Sequence, residues 1–225
     1  MYGIDPAEVT RLTGLKAHNA AIAALSAFDI EPMIANASRL TDLRLALIGL
    51  DYFSFRCGDP PPLPTPAIVA GGRDLVAYQS YASALTALEA AMEQCKPLHI
   101  DCRFFIGPVH ANYMVLIHET DFDRYLAWKA DLVGLARKHN VEFFDLSTTH
   151  PSSSLPFSRT RGHFYDLLHY DAAIGADILP AILRPDRAQM RADLTGRAEL
   201  SLIDRYATDQ QPFVEELKTR LGASR

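Results

Sequence analysis

A chain of 225 residues, 48% of them hydrophobic, can bury one substantial core and leaves little for a second. Its formal net charge of −5, with 22 lysines and arginines scattered and not blocked, argues against nucleic acid or an anionic membrane surface as the main partner. No apolar run reaches bilayer-spanning length and Met1 opens no signal peptide, so the residues as they stand read as one cytoplasmic domain, 1–225, with small or neutral ligands.

"DPAEVTRLTG" predicts a short first helix with Asp5 as N-cap, Pro6 at its first position and Gly14 as its stop. "LKAHNAAIA" reads as a buried strand and "DIEPMIANASRL" as the next helix. "RLALIGLDYFSF" is the clearest strand, an apolar run ending at Gly49 and Asp51. Residues 57–72, "CGDPPPLPTPAIVAGG", hold five of the fourteen prolines; proline removes donors and blocks helices, so an irregular excursion within the domain is expected. "DLVAYQSYASALTALEAAMEQC" has the apolar spacing of a long helix. "LHIDCRFFIGPVH" is a second strand, broken at Gly107-Pro108. "DFDRYLAWKADLVGLARKHN" follows as an amphipathic helix with Trp128 on its buried stripe, and "VEFFDLS" is a third strand. "TTHPSSSLPFSRTRG" reads as a polar loop flanked by solvated His150 and His163. "HYDAAIGADIL" opens the last packed helix, and a terminal helix over 206–225 frays at 221–225.

Strands alternating with helices of this length predict an α/β layered fold with a mainly parallel sheet. Cys57, Cys95 and Cys102 are odd in number and lack CxxC spacing, which predicts buried thiols and no cysteine zinc site; a Cys95–Cys102 link is the alternative in an oxidising compartment.

In open parallel sheets, ligands bind beyond the carboxyl ends of the strands. Asp51 and His110 end two strands there, and the loop after the third leads to Asp166 and His169. Asp-x-x-His is the spacing of a carboxylate that holds an imidazole in the tautomer needed to deprotonate a hydroxyl. The bland alternative is an aspartate capping its own helical turn beside a packed histidine. Asp51, His110, Asp166 and His169 also have ligand types suited to zinc or manganese, but no dense His-x-His or HExxH run accompanies them, so no metal is assigned.

The block around Asp166 and His169, with a glycine six residues after the histidine, resembles the C-terminal block of SGNH (GDSL-like) hydrolases and acyltransferases. "NAAIAALSAFDI", "LALIGLDYFSF", "RFFIGPVHANY" and "FDRYLAWKADLVGLARKHNVEFFDLS" are similar to further segments of a bacterial branch of that family. The resemblance implies a three-layer α/β/α domain of flavodoxin-like topology, with no cofactor. It implies acyl transfer through a serine ester, with His169 as general base and Asp166 as its orienting carboxylate. Ala24 would stand at the oxyanion-hole glycine, and Asp51 where the family offers asparagine. An ionised carboxylate accepts only, so Asp51 is better read as a structural or substrate-hydroxyl acceptor, and His110 either lines the site or caps a strand end. Substrates would be small-molecule or glycan acyl esters, and relatives of this kind are often tethered outside the cytoplasm.

The chain departs from the family at its start. No strand and Gly-x-Ser turn precede "YGIDPAEVTRLTG", and Gly58-Asp59 leads into prolines without a serine. The first strand, central in the family's sheet, is therefore expected to be missing, with the nucleophile encoded upstream of Met1 or replaced by Ser26. The rival expectations are a non-catalytic remnant that keeps the Asp–His pair for packing, and a metal-dependent hydrolase.

Overall fold

The computed structural model describes residues 3–20, 26–55, 80–155, 163–184 and 194–208. Helix α1 (Pro6–Thr13) starts where Asp5 accepts the Ala7 N–H at 2.8 Å and stops at Gly14, whose φ of 72° is left-handed. The segment read as a strand after it is not one over residues 15–20. Its amides turn back on the helix, Leu15 N–H to Thr13 Oγ1 and Ala17 N–H to Thr10 Oγ1, instead of joining a ladder. Ala24, the excursion at 57–72, Cys57 and the tail at 221–225 lie outside the described residues.

Helix α2 (Ala27–Leu40) leads through a short turn into strand β1 (Leu45–Leu50), which ends in a 3-10 turn at Tyr52–Phe55. Helix α3 (Tyr81–Cys95) precedes β2 (Asp101–Ile106). Two helices, α4 (Ala111–Thr120) and α5 (Phe122–His139), fill the connection to β3 (Glu142–Asp145). Helix α4 is absent from the sequence-based expectations. Helix α6 (Ala172–Leu183) and a further helix, α7, over 197–208 complete the described elements.

The sheet is small, open and parallel, ordered β1-β2-β3, with Leu50 opposite Ile106 and Ile106 opposite Asp145 at its carboxyl edge. Side chains alternate across a strand. Cys102, Phe104 and Ile106 of β2 join a core with Leu88, Met92, Tyr113, Trp128 and Leu132. Phe105, one residue out of phase, joins a second core with Phe144, Ile174, Ile178 and Ile182. Gly49 fits this arrangement because a β-carbon there would press to 3.3 Å from the Phe105 ring. Gly175 has a stronger reason: a β-carbon would come within 1.2 Å of the Gly3 carbonyl oxygen, so only glycine lets the first residues lie against α6.

Two of the cysteines depart from the thiol expectation. Cys95 and Cys102 form a disulfide, with Cα atoms 5.9 Å apart. The chain closes tightly after α3, with His99 at φ 55° and the Ile100 N–H bonded to the Cys95 carbonyl at 2.9 Å. That return brings the second residue of β2 under the last turn of α3.

Candidate functional site

Asp166 and His169 do not share a helical turn. They sit at the tip of a hairpin spanning 163–171, before α6 begins at its own N-cap, Asp171. Phe164 and Tyr170 form the antiparallel bridge, flanked by Tyr165 N–H to His169 O at 2.8 Å and Asp171 N–H to His163 O at 2.9 Å. Phe164 and Tyr170 point into the core, whereas His163, Tyr165, Asp166 and His169 face solvent. The alternation "HFY" and "HYD" on either side of the tip is what builds this arrangement.

At the tip, Asp166 Oδ1 accepts two backbone N–H groups, from Leu168 and His169, each at 2.8 Å. Its other oxygen, Oδ2, meets His169 Nδ1 at 2.6 Å. Partial burial opposes ionisation of Asp166, but the Leu168 N–H and then the His169 ring outweigh it and hold its pKa below the ordinary carboxylate value. A carboxylate only accepts, so the neutral imidazole carries its proton on Nδ1 and keeps a lone pair on Nε2. The two side chains are 55% and 50% exposed, so the pair stands at the surface.

The hairpin is fastened to the carboxyl edge of the sheet. The His110 N–H donates to the Leu167 carbonyl at 3.0 Å, so the chain leaving β2 holds one of the two residues between Asp166 and His169. His110 itself is buried and contributes no ring nitrogen to the tip. Its Nδ1 accepts the Asn112 N–H as the cap of α4, and its Nε2 lies 2.9 Å from the Leu155 carbonyl, to which it donates. Burial pushes the His110 pKa down, and its ring lies edge-on to Phe164 and Tyr206, both centroids at 5.6 Å. It is a structural anchor under the hairpin.

Asp51 follows β1 at the same edge, half-buried. Ser26 reaches that edge too: α2 returns directly into β1, and Ala27 shares a core with Leu50 and Tyr52. The Ser26 hydroxyl, however, donates to Asp29 Oδ2 at 2.8 Å, and the same oxygen accepts the Ser26 N–H, closing a capping box. Among the described residues, no hydroxyl is bonded to His169 Nε2.

Several polar groups escaped the sequence reading. Lys129, on a helix read only as amphipathic, is buried with its ammonium 2.5 Å from Asp145 Oδ2 and bonded also to Glu199 of α7. Burial depresses the Lys129 pKa, but Asp145 and Glu199 more than reverse this and raise it. Asp145 in turn accepts the Ser147 hydroxyl at 2.7 Å. The acid ending "EFFD" was the available signal. His150, expected in solvent, is mostly covered: it accepts the Ser152 N–H and meets Asp177 at 3.2 Å, and Ser152, Ser153 and Ser154 of the "polar loop" are buried.

Asp51, His110, Asp166 and His169 do not gather as metal ligands. Among the described residues, the group with donor atoms within 4.8 Å of one another is Glu89, Glu93 and His139, on α3 and the end of α5. Lys138 already neutralises Glu89 there. No helix among the described residues is long and apolar enough to cross a membrane. Comparison with protein families, with curated proteins and with solved structures found no match for this chain.

Proposed function

We propose that this chain is the acid–base part of an SGNH-like serine esterase or O-acyltransferase, with a three-layer α/β/α arrangement of flavodoxin-like topology. One observation carries the reading: a solvent-open imidazole, locked through Nδ1 by a carboxylate 2.6 Å away, on a hairpin bonded to the chain leaving the central strand. An exposed pair of this kind contributes little to stability, whereas its geometry is that of an oriented general base.

In the proposed reaction, His169 Nε2 takes the proton of a serine hydroxyl as its oxygen attacks the acyl carbonyl. Asp166 stabilises the imidazolium that forms. The tetrahedral intermediate collapses, the alcohol leaves with the proton from Nε2, and a serine ester remains. Water or a sugar hydroxyl, deprotonated by the same nitrogen, then takes the acyl group. A backbone N–H near Ala24 would serve the oxyanion, and Asp51 would accept a substrate hydroxyl. Ser26 already gives its hydroxyl to Asp29, so in this reading the nucleophile is a serine other than Ser26. The buried Cys95–Cys102 disulfide supports an oxidising, extracytoplasmic setting.

The engagement of Ser26 equally favours a second reading, a non-catalytic module that retains the pair. Turnover of 4-nitrophenyl acetate separates the two, measured on the 225-residue chain and on a version extended upstream in its gene. The catalytic reading expects turnover in the extended chain, lowered about 10³–10⁴-fold by His169→Ala or Asp166→Asn. Turnover unchanged by His169→Ala, or none in either chain, supports the module.

A further inference from the structure

We infer that Glu89, Glu93 and His139 form a binding site for one zinc-type divalent metal ion, which clamps helix α3 to helix α5. The site lies apart from the hairpin of Asp166 and His169 and does not depend on the catalytic reading.

The first observation is how the fold gathers the donors. Glu89 and Glu93 stand one turn apart on α3, so both carboxylates share a face of that helix. His139 is the last residue of α5, which packs against α3. Its Nε2 lies 2.8 Å from Glu89 Oε1 and 4.0 Å from Glu93 Oε1. One ligand atom from each of the three residues lies within 4.8 Å of the other two. Ligand atoms bonded to one tetrahedral zinc at about 2.0–2.2 Å stand roughly 3.4 Å from one another. The first of these separations has to open, and the second to close, by only about 0.6 Å.

The second observation is charge. Glu89 already meets the His139 ring nitrogen, and Glu93 nevertheless approaches the same atom. Lys138 and then His139 hold the Glu89 pKa below the ordinary carboxylate value, so that group is ionised at neutral pH. Like charges one helical turn apart repel, and Lys138 neutralises only one of the two carboxylates. A divalent cation removes the excess. The Lys138 side chain is 64% exposed, so it can withdraw into water as the ion takes its place on Glu89.

The donor set chooses the ion. Carboxylate oxygen together with imidazole nitrogen suits zinc, whereas magnesium and calcium take oxygen ligands. The neutral ring offers Nε2 with its proton on Nδ1. His139 and Glu89 are mostly covered, whereas Glu93 is 59% exposed and leaves room for a water as fourth ligand. Helix α3 ends before β2 begins, and α5 before β3, so the clamp sits at the amino edge of the sheet, opposite the hairpin.

The test is calorimetric titration of the untagged 225-residue chain with zinc chloride, with magnesium chloride as the comparison. The expected result is one zinc per chain, bound roughly tenfold or more less tightly by Glu93→Gln and by His139→Ala. Lys138→Met is expected to bind zinc roughly two- to fivefold more tightly, because the lysine competes with the ion for Glu89. No saturable zinc binding overturns the site. Zinc bound equally well by Glu93→Gln and His139→Ala also overturns it, since the ion would then sit elsewhere. Magnesium bound as tightly as zinc does the same, because the carboxylates alone would then hold the ion. Weaker zinc binding by Lys138→Met contradicts the competition for Glu89. Glu93 is exposed, so Glu93→Gln keeps the test readable even if His139→Ala fails to fold.

Discussion

Two polar clusters occupy the carboxyl edge of the same sheet, and they differ in nearly every physical respect. Asp166 and His169 stand on a hairpin tip with half their surface in water. Lys129, Asp145 and Glu199 are shut inside, joining α5, the end of β3 and α7. The buried group answers a packing problem: three charges removed from water must satisfy one another. The exposed pair answers none, since Asp166 could cap the tip through its two N–H bonds without any imidazole. What distinguishes a candidate base from a structural ion pair here is the exposure of the imidazole.

The largest test of that contrast is Lys129→Met. It leaves two buried carboxylates facing each other and is expected to destabilise the fold by about 3–5 kcal/mol in urea unfolding. A loss below about 1 kcal/mol would remove the structural role from the buried cluster. Reduction of Cys95–Cys102, remote from both clusters, is expected to lower stability by about 2–3 kcal/mol through the freed unfolded chain. The hairpin resonances should not move; if they do, the hairpin is coupled to the far end of the sheet.

A pH series sharpens the comparison further. Burial lowers the His110 pKa, so below the ordinary imidazole value of about 6.5 the unfolded chain binds a proton that the folded chain refuses. Stability therefore falls as pH drops below that point and is fully present above it. Asp166 and Asp171, both held low, lose their contributions only later, as pH falls below the ordinary carboxylate value. In melting curves, His110→Gln should flatten the first loss and leave the second. The smallest effect belongs to His169→Ala, expected within about 0.5 kcal/mol of the parent because the ring is solvent-exposed. A loss of several kcal/mol would make the exposed pair structural after all.

Much of the frame was legible in the residues. Asp5, Pro6 and Gly14 bracket α1, and the apolar runs ending at Gly49, Gly107 and Asp145 mark three parallel strands, because local capping chemistry and continuous apolar runs act at short range. Features set by distant partners were not. Residues 15–20 were expected to begin a strand, yet two threonines of α1 take the Leu15 and Ala17 amides. "ANYMVLIHET" carries no clean helical stripe, and His110 supplies its cap through a ring nitrogen, a signal easily missed. The disulfide depended on the tight return after α3. At the site, the spacing of Asp166 and His169 was readable, but the hairpin was not, because its bridge pairs residues that flank the tip and are fixed by the core beneath.

Selective ¹⁵N NMR of the His169 ring, at about pH 9 where imidazoles are neutral, addresses the base directly. The geometry expects Nδ1 to carry the proton and Nε2 to be bare, with that preference lost in Asp166→Ala. A ring protonated mainly on Nε2, or one unmoved by Asp166→Ala, would contradict the assignment of this pair as an oriented base.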